Sequence, residues 1–286
     1  MNLTEYDISH PYRAVVARSE RITPEDTAEV RHIILNISSA TFNYLEGQSI
    51  GVLVPGPHSF GNTHHLRLYS IANSRQGEEK NFAEISICVR RCSYIDEVSG
   101  ERHPGVASNY LCDLEPGEEV EITGPYGRQF LPPRDPESHI LMIGVGTGIA
   151  PFRAFLKHIY SERGDWKGKV RLFYGAQTGM DLLYQNDKNG DVANYYDEET
   201  FRAFEALSPR PHFDEPVDME RTLKDNAEEV WELLNDPKTH VYVAGLSKLE
   251  DQLDRAITAI AGSEEAWIGK KAELIADKRW ATLFYE

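Results

Sequence analysis

The sequence has little cysteine, no surplus of basic charge and no long apolar run, and each shortage excludes a class of protein. Its three cysteines, Cys88, Cys92 and Cys112, are an odd number without a C-x-x-C pair, and the histidines are not clustered. Their spacing therefore encodes neither a disulfide framework nor a zinc or iron–sulfur centre, and a reducing cytoplasm is the expected location. The net charge is −16, from 30 Lys and Arg against 46 Asp and Glu. Nucleic acid is thereby disfavoured as a partner, because binding phosphates requires a basic face. No stretch reaches the about 20 apolar residues of a membrane-spanning helix. The opening residues MNLTEYDISHPYRAVV carry acids where a secretory leader has a basic patch and then an apolar run, so export is not expected.

What is present is a globular composition, 41% hydrophobic and 27% charged, over 286 residues, a length that suits two domains. Up to about Leu131 the chain reads as short alternating runs between turn residues: YRAVVARSERI, EVRHIILNI, QSIGVLVPG, LRLYSIA, AEISICVRR and EEVEITGPYG. That spacing predicts an antiparallel β-barrel. From His139 the pattern changes to fully apolar strands, HILMIGV, VRLFYGA and THVYVAGL, each followed by a helical stretch. This is the signature of an α/β domain with a parallel sheet wrapped by helices. The proline-rich Pro132-Pro133-Arg134-Asp135-Pro136 suits an exposed connection, giving expected domains 1–133 and 134–286. The acidic stretch from Gly190 to Glu199 reads as a solvated loop and helix start.

Two segments carry chemistry. In Ile140-Leu-Met-Ile-Gly144-Val-Gly146-Thr-Gly148-Ile-Ala-Pro151 a strand runs into glycines and then a helix with Pro151 in its first turn. Such a turn exposes backbone N–H groups to a pyrophosphate, although its third glycine comes one residue early for G-x-G-x-x-G, and a purely structural turn fits equally. In Arg67-Leu68-Tyr69-Ser70, alternation puts Arg67 and Tyr69 on one strand face and Leu68 and Ser70 on the other. An arginine fork suits a diphosphate, a tyrosine ring a flat cofactor and a hydroxyl a ring atom, while an ordinary exposed strand remains the alternative.

The order of these segments resembles plant-type ferredoxin–NADP reductases over nearly the whole chain. The matching pieces are EGQSIGV from Glu46, LRLYSIA from Leu66, ISICVRR from Ile85, GVASNYLCDL from Gly105, EITGPYG from Glu121, GTGIAPFRAF from Gly146, LLYQND from Leu182, AEEVWELL from Ala227 and VYVAGL from Val241. The resemblance implies a FAD-binding barrel followed by an NADP(H)-binding domain, and hydride exchange between the two cofactors. By position, Arg67, Leu68, Tyr69 and Ser70 would hold the flavin and its diphosphate, with Cys88, Val89 and Arg90 running beside it. Gly105, Val106, Ala107 and Ser108 would meet the pyrophosphate, and Tyr94 would stack on the adenine. Gly146, Thr147, Gly148 and Pro151 would take the phosphates of the nicotinamide nucleotide, with Gly245 and Leu246 also on that side. The ending Trp280-Ala-Thr-Leu-Phe-Tyr285-Glu286 resembles the family terminus, where an aromatic ring covers the flavin and moves aside for the nicotinamide; Tyr285 is the matching ring. Ser70 and Tyr285 are the candidate catalytic residues, with Glu286 as an acidic extension past the usual end.

The chain departs from the pattern at three places. Where the family has a cysteine and a glutamate beside the reacting carbons, this sequence has Ala244 and Leu283, which puts efficient proton exchange with the flavin in doubt. The serine and arginine that recognise a 2'-phosphate are matched by Ser208 and Arg210 with Pro209 inserted, and Asp218 or Met219 stands where a tyrosine belongs. NADP(H) is therefore expected with NAD(H) left open. An acidic ferredoxin or flavodoxin would have to dock at a local basic patch drawn from Arg75, Lys80, Arg90, Arg91, Arg102 and Arg153. Two alternatives stay open: a reductase feeding an oxygenase directly, and a nucleotide-binding regulatory subunit with little turnover.

Overall fold

The computed structural model describes residues 6–39, 41–56, 63–77, 84–96, 99–185, 191–209 and 217–285. The chain divides into two compact units, Met1–Leu131 and Pro132–Glu286. Among the described residues no helix is long and apolar enough to cross a membrane.

The first unit is a six-stranded antiparallel sheet built from β1 (Tyr12–Arg21), β2 (Val30–Ile37), β3 (Ser49–Pro55), β4 (His64–Ser70), β5 (Glu84–Arg90) and β8 (Glu119–Tyr126), in the order β4-β3-β8-β1-β2-β5. All six correspond to the alternating runs of the sequence. Residues two apart share a face, so Ala14 and Val16, Ile33, Leu35 and Ile37, Ile50, Val52 and Val54, Ile85, Ile87 and Val89, and Val120 and Ile122 all turn into one core. The sheet curls until its two outer strands meet at an isolated bridge, Ile71 to Ile87. Two elements interrupt the strand pattern before β8: a short ribbon of β6 (Ser93–Ile95) and β7 (Arg102–Pro104), and the helix α1 (Val106–Asp113), whose Ala107, Leu111 and Cys112 join the barrel core.

The second unit is a five-stranded parallel sheet, β9 (His139–Val145), β10 (Val170–Ala176), β11 (Phe201–Leu207), β12 (Thr239–Leu246) and β13 (Trp280–Tyr285), in the order β11-β10-β9-β12-β13. The three apolar runs of the sequence are the three central strands. The two outer strands escaped that reading because FRAFEAL and WATLFY are only partly buried and keep polar residues, whereas a strand covered on both faces reads as continuous apolar sequence. Helix α2 (Ile149–Leu156) lies on one face, where Phe155 meets Tyr242 edge-on at 5.0 Å. On the other face α3 (Met219–Asp225), α4 (Ala227–Asn235), α5 (Lys248–Ala261) and α6 (Glu264–Ala276) pack on Leu141, Ile143, Phe173, Val241 and Val243. Lys271 of α6 ties this layer to β13 by standing over the rings of both Trp267 and Trp280 while bonding Asp254 and Glu250 of α5.

One sequence expectation is corrected here. The acidic stretch from Gly190 is not wholly solvated: Asp191 is 4% exposed and pairs at 3.5 Å with Arg153 of α2, itself 3% exposed and lying over the Tyr184 ring. A buried pair of this kind is destabilising when one partner is removed, because the other charge stays in a medium that cannot solvate it. We expect Asp191→Ala to cost about 3 kcal/mol of stability, read as a lowered urea midpoint; an unchanged midpoint would show that Arg153 reaches water.

Candidate cofactor-binding sites

In the second unit the chain leaves β9 for β10 and β11 on one side, then returns to β12 and β13 on the other. The order therefore reverses between β9 and β12, and in open α/β sheets the crevice at the carboxyl ends of two such strands is where ligands bind. Gly144 to Gly148 leave β9 there, and Ala244 to Leu246 end β12 beside them. Glycine is required by close approach. A Cβ on Gly148 would stand 2.3 Å from the Ala244 carbonyl oxygen, and one on Gly245 would stand 2.5 Å from a Val145 methyl. The turn Gly146–Gly148 is a short 3-10 segment leading into α2, with Pro151 as the third residue of that helix. At Gly146, where φ is +55°, a Cβ would find among the described residues only the Tyr285 hydroxyl, at 4.0 Å. The turn thus offers backbone N–H groups and open space together, and these residues fit a dinucleotide phosphate.

Tyr285 ends β13 opposite Leu246. Its hydroxyl accepts a hydrogen bond from Thr147 Oγ1 at 2.9 Å and donates to the Val145 carbonyl at 3.3 Å, so the phenol is fastened to the glycine turn. Two residues back along the same strands, Ala244 and Leu283 are direct partners across β12 and β13. The two departures from the family pattern are therefore one local change, an apolar pair. Ser208, at the carboxyl end of β11, is buried, and its N–H donates to Gln177 O at 3.3 Å. Asp218 is committed as the cap of α3, accepting the Arg221 N–H, and Met219 is fully buried. Arg210 and Glu286 lie outside the described residues.

In the first unit the sites of interest border the seam between β4 and β5. Hydrogen bonds from Ile71 N to Gln48 O and from Gly56 N to Thr63 O fix the alternation of the β3–β4 ladder. Arg67 and Tyr69 consequently pair with β3, while the backbone groups of Leu68 and Ser70 point to the outer edge. On β5, the Arg91 N to Glu29 O bond sets the same alternation, turning Cys88 and Arg90 towards the seam and Val89 into the core. Beyond the Ile71–Ile87 bridge the seam presents two strand edges that suit a flat polar ring. Tyr69 packs partly on the barrel core, where burial raises its phenol pKa, and Arg67 follows on the same face, exposed.

Helix α1 begins beside this edge. Its cap is Gly105, and among the described residues no side chain caps the N–H groups of Val106, Ala107 and Ser108, an arrangement that suits an anion. Ser108 Oγ accepts the Cys92 N–H at 3.1 Å, Asn109 Nδ2 donates to Cys92 O and Gly105 O at 2.8 Å each, and the Gly105 N–H donates to Cys92 O at 2.9 Å. The helix start and the ribbon base are one bonded unit. Arg91 anchors it, donating to Glu29 Oε2 at 2.6 Å, to Asn109 Oδ1 at 3.1 Å and pairing with Asp113 at 2.8 Å. Asn109, Asp113 and Glu29 were invisible to sequence reasoning, since nothing local marks residues whose partners lie far along the chain. Burial pushes the Cys112 thiol up to about 11, leaving it protonated and inert.

One member of the expected basic patch is corrected: Arg153 is buried with Asp191. Arg91 is partly buried and pairs with Glu29 and Asp113, and Arg75, though exposed, bonds the buried Glu46 carboxylate through its N–H, Nε and Nη2. Arg90 and Arg102 are exposed, and Lys80 lies outside the described residues.

The chain matches the family model of the oxidoreductase FAD-binding domain over residues 15–130 and that of the oxidoreductase NAD-binding domain over residues 142–255. It is 39% identical to a ferredoxin–NADP reductase of Spirulina sp over 282 residues, 96% of this chain and 95% of that one. It belongs to the ferredoxin–NADP reductase family. The chloroplastic leaf isozyme 1 of Arabidopsis thaliana is 36% identical and is covered over 79% of its length. Ferredoxin-NADP+ reductase from Plasmodium falciparum shares the fold, with a TM-score of 0.74 and 98% of each chain covered at 21% identity. Membership makes the chain an oxidoreductase with FAD and NADP(H) as cofactors.

Gly148→Ala is expected to abolish tight nucleotide binding while the first unit stays folded, because the added methyl would meet backbone; normal NADPH affinity by titration would show that the crossing can relax. The Arg91 guanidinium holds the Glu29 carboxyl below its ordinary 4.5. A depressed acid contributes stability above its unfolded value and loses it as pH falls through the folded one. The urea midpoint should thus drop below about pH 4.5, and Glu29→Gln should flatten that part of the profile.

Proposed function

We propose that the chain is a FAD-containing ferredoxin or flavodoxin–NADP(+) reductase, exchanging a hydride with NADP(H) and single electrons with a low-potential carrier. The observation that carries the reading is a single chain holding two cradles: a barrel seam running to an uncapped helix start, and a glycine turn at the reversal point of a parallel sheet. FAD, when bound, supplies the conversion between two-electron and one-electron chemistry.

In this reading Tyr69 and the outward backbone groups of Leu68, Ser70, Cys88 and Arg90 receive the flavin ring, Val89 backs them from the core, and Ser70 Oγ bonds a ring atom. Arg67 and the N–H groups of Val106, Ala107 and Ser108, freed by Gly105, neutralise the diphosphate, and Tyr94 stacks on the adenine. Gly146, Thr147, Gly148 and the helix start at Pro151 take the phosphates of the nicotinamide nucleotide, with Gly245 and Leu246 beside its reactive end. Tyr285 occupies the nicotinamide position until the nucleotide arrives, and the Thr147 bond sets how firmly it is held. Ser208 and Arg210 meet the 2'-phosphate, and Glu286 is the acidic candidate that could stand in for the missing glutamate. With Ala244 and Leu283 apolar, Ser70 is left as the proposed hydroxyl to hold a proton at the ring. Docking of an acidic carrier rests on Arg90 and Arg102. Three cysteines without a disulfide suit a cytoplasmic setting.

Anaerobic stopped-flow mixing of the yellow holoprotein with NADPH and, separately, NADH tests the reading. Fast bleaching by NADPH, with NADH far slower, is the expected result. A flavin that neither nucleotide reduces would favour the regulatory alternative, and equal rates would remove Ser208 and Arg210 from the specificity argument. Added ferredoxin should reoxidise the flavin more slowly as salt rises, while a small neutral dye should not respond.

A further inference from the structure

The β6–β7 ribbon pairs Tyr94, read above as the adenine platform, with a second ring, His103, to which neither the family resemblance nor the proposed chemistry gives a role. Tyr94 and His103 are direct partners across it, their ring centroids 5.5 Å apart and their planes 32° from parallel. Tyr94 is nonetheless 56% exposed, so the imidazole takes up part of the phenol ring and leaves much of it open. The His103 Nε2 is 3.8 Å from Glu101 Oε2, on the same strand face. A two-stranded ribbon with three residues in each strand has little stability of its own. This one is fixed at its base, where Cys92 is bonded to Gly105, Ser108 and Asn109. The Tyr94 ring therefore stands at a set distance from the start of α1, and what remains adjustable is its side-chain orientation.

We propose that His103 is a positioning residue for the flavin nucleotide: it holds the Tyr94 ring in the orientation that receives the adenine, without itself having to touch the nucleotide. The inference rests on the reading of Tyr94 as the adenine platform. An unbraced tyrosine on an exposed ribbon samples several rotamers, and binding must then order it at an entropic cost. A cross-strand ring pair restricts those rotamers beforehand, and the benefit goes only to ligands that carry the adenine. FAD has it and FMN does not, so His103 contributes to the preference for FAD over FMN rather than to flavin affinity in general.

The experiment titrates apoprotein with FAD and with FMN, following flavin fluorescence, for the parent chain, Tyr94→Ala, His103→Ala, His103→Phe and the Tyr94→Ala/His103→Ala double variant. His103→Ala should weaken FAD about 3- to 10-fold and leave FMN unchanged, His103→Phe should restore most of the loss, and His103→Ala should add nothing once Tyr94 is gone. If Tyr94→Ala weakens FAD and His103→Ala does not, the brace is wrong and the platform stands. Should neither change FAD affinity, the platform reading falls and takes the brace with it. Equal losses for FAD and FMN would mean that the ribbon acts on the diphosphate end, which also overturns the proposal.

Discussion

The nucleotide-binding unit depends on a contact between two pieces of backbone, Gly148 against the Ala244 carbonyl. Every other feature of that site follows from how close the two strands come. With no side chain between them, the turn after β9 lies against the end of β12, and its N–H groups face the crevice where strand order reverses. The same closeness brings β13 near enough for Tyr285 to bond Thr147 and Val145. It also fixes Ala244 and Leu283 as neighbours across β12 and β13. An apolar pair there offers no proton, so in the proposed reading this edge contributes positioning rather than proton relay.

In the barrel unit the corresponding constraint is Arg91. It joins the start of β2, the end of β5 and the middle and last residue of α1 through Glu29, Asn109 and Asp113. The uncapped start of α1 is useful for binding an anion only if it is held against the strand edges of the seam, and these charge-assisted bonds hold it there. Ser108 and Asn109 extend the same bonding to the ribbon that carries Tyr94. In the proposed reading a large net negative charge is compatible with two polyanionic cofactors, since the phosphates are met by backbone N–H groups at two helix starts rather than by the overall charge.

The arginines also show where composition misleads. Arg75, Arg91 and Arg153 look alike in sequence to Arg90 and Arg102, yet the first three are paired with Glu46, with Glu29 and Asp113, and with Asp191. Their partners lie 22 to 62 residues away, so no local pattern separates a paired arginine from one left to meet a carrier.

What is periodic or short-ranged was legible along the chain. Alternation marked the six barrel strands, continuous apolar runs marked β9, β10 and β12, and strand-to-glycine-to-helix spacing marked the turn at Gly144 to Pro151, because each depends on neighbours within a few residues. The remainder was set by packing between distant elements. The outer strands β11 and β13 are half-covered and lack a clear pattern, the clamp at Cys92, Gly105 and Asn109 joins residues 13 to 17 apart, and the Tyr94–His103 and Thr147–Tyr285 pairs exist only once strands are in register. Local sequence sets which elements form, whereas the partner of each polar group is chosen by the packing of elements that are distant in the chain.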